Sequence, residues 1–358
     1  MRILRLDLGM SVFTTMLSQG IKCLAHVMWV FFAINAVAAQ GLSPAATGVE
    51  PATSTEARIT TDWLMRTHEA SKRLTYTGTF VVSSGGAMSS SKIWHICEGN
   101  QQMERVETLS GAPRSTFRYN DQVVTFMPEQ KLVRSETTES LGMFPELLRS
   151  ADSRVADFYK VRKEGVERVA GLDADVVLLE PKDTLRFGYR VWTEQKRGLV
   201  VKLQTLDGLG KVLEQAAFTE VQMDAPVKMD KLVQMMGQVD GYRVEKSPLI
   251  KTTAIAEGWS MKAPVAGFKS VNCYKRPASA VGGGARGEAV QWIFSDGLAS
   301  VSVFLESFDR QRHDRESSLS MGATQTLSRQ MGEFWLTVIG EVPMSTLRMF
   351  AGNLERKK

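Results

Sequence analysis

The sequence predicts an α+β protein in two units: a large antiparallel curved sheet covered by helices, then a smaller α+β domain at the carboxy end. Three observations carry this. Between residues 76 and 221, short runs of period two succeed one another across connectors rich in Gly, Ser, Asn and Asp, the pattern of an antiparallel meander. About 320 residues remain once an amino-terminal export signal is set aside, long for one domain. Near the carboxy end, Trp292-Ile293-Phe294-Ser295-Asp296-Gly297-Leu298 runs into Ala299-Ser300-Val301-Ser302-Val303-Phe304, a hairpin whose Asp-Gly supplies the positive φ angles of a tight turn. Leu336-Thr337-Val338-Ile339-Gly340-Glu341-Val342 then reads as a strand stopped by Pro343.

Residues 1–39 read as a signal peptide. Val27-Met28-Trp29-Val30-Phe31-Phe32-Ala33-Ile34 is an apolar run preceded by Lys22 and closed by Ala36-Val37-Ala38-Ala39, with cleavage near Ala38-Ala39 or Ala39-Gln40. The run falls short of the roughly 20 apolar residues a membrane span needs. Met16 would begin a signal of more ordinary length, and Cys23 lacks the small-residue box that lipid attachment requires. Residues 40–56, rich in Ala, Ser, Thr, Gly and Pro, read as a flexible leader.

The amino domain is expected over 57–222. Ile59, Trp63, Thr67, Ala70 and Leu74 share one face of an opening helix that Thr60 or Thr61 could cap. Strands follow at Tyr76–Val82, Lys92–Cys97, Met103–Leu109, Arg114–Tyr119 and Gln122–Met127. One or two short helices are expected between Glu136 and Asp157, around Phe144-Pro145-Glu146-Leu147-Leu148. Strands resume at Phe158–Arg162, Glu167–Val169, Ala174–Leu179, Leu185–Thr193, Leu199–Leu206 and Lys211–Val221. A meander of about ten strands curls, so its concave face must be covered by something apolar.

Residues 223–247, with Pro226, Gly237, Gly241 and a short helix near Lys228–Met236, read as a linker. The carboxy domain is expected over 248–358. After Pro343, Leu347, Phe350, Ala351 and Leu354 share one face of a short terminal helix. Ala278–Gly287 and Asp309–Arg315 are too loose or too charged to build a core.

The formal charge of +5 falls to +3 without residues 1–39. From Leu249 to Lys358 fourteen Lys/Arg stand against ten Asp/Glu, a net of +4, so the basic character belongs to the carboxy domain. No Lys/Arg run is present, which argues against nucleic acid. Cys97 and Cys273 fall in different domains; an oxidising compartment permits a disulfide, the spacing does not indicate one, and two part-buried thiols is the preferred reading.

Catalytic and cofactor signatures are mostly negative. Gly282, Gly284 and Gly287 form a literal G-x-G-x-x-G, but it follows Pro277 in a low-complexity loop and precedes a strand, the reverse of a dinucleotide site. His68, His95 and His313 are the histidines of the mature chain and show no metal-ligand spacing. Ser295 is a turn residue outside any G-x-S-x-G elbow. An exported hydrolase would show itself by a serine or carboxylate converging on His68 or His95, and no such cluster is expected. Trp94, Phe117, Phe126, Met127, Phe144, Leu147, Leu148 and Phe158 are candidates to line the concave face. Plain core packing is the preferred reading of them; the alternative is that the helix-covered apolar space opens to admit a lipid or apolar peptide.

Several short motifs recur in a fixed order. In the amino domain they are Tyr189-Arg190-Val191-Trp192, Lys202-Leu203, Asp207-Gly208 and Leu213-Glu214-Gln215. In the carboxy domain they are Phe268, Lys275-Arg276-Pro277, Phe294-Ser295-Asp296-Gly297-Leu298 and Val338-Ile339-Gly340-Glu341-Val342-Pro343. In this order the chain resembles the MucB/RseB family, periplasmic negative regulators of the envelope-stress sigma factor sigma-E, over essentially the whole mature length. The departures lie in the Gly-rich 278–287 stretch and in Asp309–Arg315.

The resemblance implies an amino domain like the lipoprotein carriers, an unclosed β-barrel covered by helices. It implies a protein that binds the periplasmic domain of an inner-membrane anti-sigma factor, shields it from site-1 proteolysis and is displaced by lipopolysaccharide (through lipid A) or mislocalised lipoprotein. No enzyme activity, cofactor or metal is implied, and a homo-oligomer is compatible with the family. Ser295, Asp296, Gly297, Leu298, Gly340, Glu341 and Pro343 enter as its structural motifs. The alternative reading is a periplasmic lipid or lipoprotein carrier, against which the added carboxy domain argues.

Overall fold

The computed structural model describes residues 54–137, 144–145, 155–247, 249–279, 285–313 and 315–357. The expected signal peptide and most of the leader, Leu147, Leu148, Gly282 and Gly284 lie outside them. Helix α1 (Ser54–Arg73) leads into β1 (Tyr76–Ser84), β2 (Ala87–Glu98), β3 (Gln101–Thr108), β4 (Ser115–Tyr119), β5 (Gln122–Met127) and β6 (Leu132–Thr137). One turn, α2 (Val155–Phe158), precedes β7 (Tyr159–Val169), β8 (Leu172–Pro181), β9 (Gly188–Glu194), β10 (Val200–Leu206) and β11 (Val212–Met223). Helix α3 (Met229–Gly237) and β12 (Arg243–Ser247) complete this unit.

These strands form one twelve-stranded sheet, ordered β12-β6-β5-β4-β3-β2-β1-β11-β10-β9-β8-β7. Each meander half is written in turn chemistry. Gly85 and Gly86 both take positive φ (57° and 84°), the two left-handed residues a tight hairpin between β1 and β2 needs. The sheet curls until Val221 and Met223 share an apolar cluster with Val169, Ala170 and Leu172. Its hydrogen-bond ladder nevertheless stays open at β7 and β12, so the barrel is unclosed.

Several elements differ from the expectation. The runs Phe158–Arg162 and Glu167–Val169 are one strand, β7, because a bulge between Lys163 and Gly165 absorbs the break in period. Residues 132–137 form β6, where the alternation of Leu-Val-Arg-Ser-Glu-Thr was too polar to register as a strand. Helix α1 begins before Thr60 and Thr61, so neither caps it; Thr60, Leu64, Thr67, Ala70 and Ser71 are buried, while Ile59 points outward at 61% exposure. The 223–247 segment, expected as a linker, is folded onto the larger sheet. Met229, Leu232 and Met236 of α3 pack on Ile96, Met103, Phe117, Val124, Phe126 and Val133, and β12 adds to β6 as a parallel edge strand.

The smaller sheet holds β13 (Ile250–Lys251), β15 (Lys269–Ser279), β16 (Ala285–Ser295), β17 (Ser300–Ser307), β18 (Ser317–Met321), β19 (Thr324–Met331) and β20 (Phe334–Gly340), ordered β13-β15-β16-β17-β20-β19-β18. A two-stranded ribbon pairs β14 (Trp259–Met261) with β21 (Leu354–Arg356) around α4 (Met344–Asn353). Pro343 stands at the N-cap of α4, where its missing N–H costs nothing. Leu347, Phe350 and Ala351 bury the expected face against Trp259, Phe268, Phe294, Val301, Leu336 and Val338. At Gly340 a Cβ would stand 2.7 Å from the Ser300 carbonyl oxygen on the facing strand, so only glycine fits the β17–β20 pair. Of the Asp309–Arg315 stretch, residues 309–313 form a compact turn, with His313 stacked at 4.9 Å on Trp335 and its Nδ1 accepting from the Asp309 N–H.

Candidate functional site at the junction of the two sheets

The β16–β17 hairpin is where the sheets meet. Ser295 pairs with Ser300, leaving Asp296, Gly297, Leu298 and Ala299 as a four-residue loop. Of the Asp-Gly pair only Gly297 takes a positive φ, 104°, so the expected two-residue turn is replaced by a loop that Asp296 organises with its side chain. Its Oδ1 accepts from the N–H groups of Leu298 (3.0 Å) and Ala299 (2.7 Å). Its Oδ2 accepts from Arg186 Nε at 2.8 Å and Tyr159 Oη at 3.2 Å, both in the larger unit.

Arg186 sits between β8 and β9 with its side chain fully buried. Its Nη2 donates to the Ala266 carbonyl at 2.8 Å and its Nη1 pairs with Asp183. The guanidinium lies 4.6 Å from the Phe158 ring and 5.1 Å from the Phe268 ring, so aromatics of both units flank it. Leu298 packs into the cluster of Leu64, Tyr159, Leu179, Tyr189, Val191 and Val200, and Thr346 Oγ1 on α4 donates to the Leu185 carbonyl at 2.8 Å. Burial pushes the Asp296 carboxyl above the usual aspartate range, against the opposing pull of Arg186 and of the two loop N–H groups. Burial, with the Asp296 charge beside it, likewise raises the Tyr159 phenol.

Such a pair is not primarily a source of stability. Desolvating two ions costs several kcal/mol each, which their attraction and hydrogen bonds repay only in good geometry, whereas deleting one partner strands a buried charge at a cost of about 3–5 kcal/mol. What the arrangement supplies is a set of directional contacts that join the two sheets at one place.

Leu147 and Leu148 lie outside the described residues, and the other six apolar candidates fall in separate places. Phe117 and Phe126 lie under α3, with Trp94 at the margin of that cluster. Phe144 packs instead between Phe80 (5.4 Å) and Phe218 (5.0 Å), and Phe158 covers Arg186. Met127 is half-buried at the end of β5. The motif residues Ser295, Asp296, Gly297 and Leu298 form the junction loop, while Gly340, Glu341 and Pro343 join β20 to α4.

A second concave feature is a cleft lined by Ser71, Lys72, Tyr76, His95, Gln102, Glu104, Arg118 and Pro145. Tyr76, His95, Glu104 and Arg118 stand in one cross-strand row over β1–β4. A serine and a carboxylate thus do reach the neighbourhood of His95, contrary to expectation. Ser71 Oγ donates to the His68 carbonyl at 2.8 Å, and His95 Nδ1 donates to that of Leu74 at 2.8 Å and lies 3.9 Å from Cys97 Sγ, with the imidazole stacked on Tyr76. That geometry seats a structural histidine. Among the described residues no group of three or more His, Cys, Asp or Glu is placed to hold a metal, and Cys97 and Cys273 are both free thiols.

Arg186 was not singled out by its sequence. Its signal was weak: Arg190 follows four residues later among the same aromatics, and only Asp296, the one charged residue between Gln291 and Leu305, hinted at a buried donor elsewhere.

The model of the MucB/RseB N-terminal domain matches residues 60–236, and that of the MucB/RseB C-terminal domain matches residues 253–355. The chain belongs to the MucB/RseB family. Within it, the sigma factor AlgU regulatory protein MucB of Pseudomonas aeruginosa is 29% identical over 308 residues, covering 83% of this chain and 91% of that protein. The sigma-E factor regulatory protein RseB of Escherichia coli is 21% identical, covering 82% and 89%. Among solved structures, MucB in complex with MucA(peri) matches with a TM-score of 0.61 at 25% identity, over 83% of this chain and 98% of that one. MucB alone matches with a TM-score of 0.61 over 86% of this chain, at 24% identity. Both units and their junction therefore fall within the span shared with the family.

Proposed function

We propose that this protein is a non-enzymatic periplasmic regulator that binds the periplasmic domain of a membrane-spanning anti-sigma factor. Bound there, it shields that domain from site-1 proteolysis and so represses the sigma-E envelope-stress response. The observation that carries this reading is the match of both family domains, in order, to a chain with 91% coverage of a MucB whose relatives include a structure with MucA(peri). Export fits the apolar run and Ala-rich close of residues 27–39, and no helix among the described residues is long and apolar enough to cross a membrane.

Lipopolysaccharide or mislocalised lipoprotein releases the regulator by mass action, because a ligand that prefers the unbound form draws the equilibrium away from the complex. In this reading the amino domain, 57–222, senses the ligand, and the carboxy domain, 248–358, with the surfaces facing it, makes much of the partner contact. Mature protein mixed with the anti-sigma periplasmic domain is expected to co-elute on size exclusion and to protect it from the site-1 protease. Absence of a complex at micromolar concentrations refutes the reading. Full binding by the amino domain alone refutes the division of labour.

A further inference from the structure

We propose that Arg186 and Asp296 are a latch that fixes the angle between the two sheets, and that Phe158 couples this latch to the apolar core beneath α1. This goes beyond partner binding and concerns how the molecule holds its own shape. Interfaces between domains of one chain are commonly polar, and relative motion is their default unless a large apolar surface prevents it. Here the contacts between the units are small and dispersed: the Arg186 cluster, the Thr346–Leu185 hydrogen bond, the Arg276–Glu136 pair at 3.9 Å, the Gly322 turn seated on Ser84 and Glu214, and two single apolar side chains, Leu298 on the larger unit's core and Leu185 on the smaller one's. The ladder of the larger sheet ends at Ser247 and that of the smaller begins at Ile250, so a short stretch of chain stands between them.

Three features make the Arg186 cluster the device rather than one contact among several. Among the described residues it is the place where both partners of a cross-unit ion pair have fully buried side chains; by comparison Arg276 and Glu136 retain 25% and 11% side-chain exposure. Asp296 binds its own loop through Oδ1 and the other unit through Oδ2, so the hairpin keeps its local hydrogen bonds when the latch opens. Finally, the guanidinium lies against Phe158, which packs into the Leu64–Tyr189–Val191 cluster, and against Phe268, which belongs to the core of the smaller unit. Displacing Phe158 removes a ring that keeps the ion pair dry and so weakens the latch, since such pairs depend on exclusion of water.

The test is an intramolecular distance, which needs no partner protein and so stands apart from the binding experiment. Val166 on β7 and Leu319 on β18, each 53% exposed, become spin-labelled cysteines in a Cys97→Ser, Cys273→Ala background. Double electron–electron resonance on the full mature chain should give one narrow distance. Asp296→Asn keeps the Oδ1 acceptor and loses the charge; Phe158→Leu keeps the charges and loses the ring. Both are expected to broaden the distribution at least twofold or add a longer population, with amide-exchange protection inside each sheet unchanged. Should Asp296→Asn fail to fold, Arg186→Met combined with Asp296→Asn removes the pair without stranding a charge and is expected to broaden the distance in the same way. A single narrow distance in the folded pair-deleted protein overturns the latch. Broadening by Asp296→Asn but not by Phe158→Leu overturns the coupling to the core.

Discussion

Two turn glycines give a clean measure of the contact between the sheets. Gly322 joins β18 to β19 and Gly332 joins β19 to β20, with φ of 56° and 60°. Placing alanine in this left-handed conformation costs about 1–2 kcal/mol in either turn. The surroundings differ. A Cβ at Gly332 meets nothing within 4 Å, whereas one at Gly322 collides with Ser84 Oγ and stands 3.1 Å from Glu214 Oε2 and from Ser84 Cβ, all on the larger sheet. Overpacking of this kind adds about 1–3 kcal/mol. Gly332→Ala should therefore cost about 1–2 kcal/mol, on the backbone term alone. Gly322→Ala should cost about 2–5 kcal/mol on the two together. Urea unfolding followed by tryptophan fluorescence reads the difference, with Trp259, Trp292 and Trp335 reporting on the smaller unit and Trp63, Trp94 and Trp192 on the larger. Ser84→Ala supplies the control: it removes the colliding hydroxyl and a 2.9 Å hydrogen bond to Glu214, and in that background the Gly322→Ala cost should fall by at least ~1 kcal/mol. Equal losses for Gly322→Ala and Gly332→Ala, with no relief from Ser84→Ala, would refute the seating of this turn on the larger sheet.

Phe350→Ala should cost about 3–5 kcal/mol, since the ring is 1% exposed and lies 5.5 Å from Phe268 and 5.0 Å from Phe294; thermal unfolding of the smaller unit checks it, and a loss under ~1 kcal/mol would place α4 elsewhere. Burial pushes the Cys97 and Cys273 thiols up to about 11, so thiolate at pH 8 is scarce, on the order of one in a thousand. Alkylation by iodoacetamide should be slow at pH 8 in the native protein and accelerate as pH climbs toward 11, whereas unfolded chain reacts readily at pH 8. Equal rates in the two states would contradict the burial of both thiols.

What could be read from the sequence was whatever is encoded locally. The β1–β2 turn at Gly85-Gly86, the stop at Pro343 and the Leu347–Phe350–Ala351 face each follow from neighbours a few residues apart, and each forms as expected. Polar strands were harder. β6 and β12 present Arg134, Glu136, Arg243, Glu245 and Lys246, and it is pairing with a neighbour, not apolar alternation, that makes them strands. The apolar candidates illustrate a further limit. Phe117, Phe144 and Phe158 are equally apolar in the sequence, but α3, the Phe80–Phe218 pair and Arg186 claim them separately, and those assignments depend on partners as far off as Met236 is from Phe117, or on which face of the sheet a helix reaches. The junction was half legible: Asp296 stood out for its turn chemistry, while its role as acceptor for Arg186 and Tyr159 needed both sheets in place.

The strand order of the larger sheet has a consequence for how the chain reaches this state. β1 through β6 form one run of consecutive neighbours and β7 through β11 another, and the two are sewn together by a single antiparallel seam between β1 and β11. Across that seam Thr219 meets Thr79 from 140 residues away. Pairings so distant in sequence are slow, because loop closure must be achieved before contact energy is gained. In chain order β1–β6 come first, the edge of β1 has no partner until β11 is available, and β12 comes last to cover β6. Exposed edges of that kind recruit other chains. The long-range seam therefore makes the β1 edge the place where an incomplete chain is open to pairing with a second one.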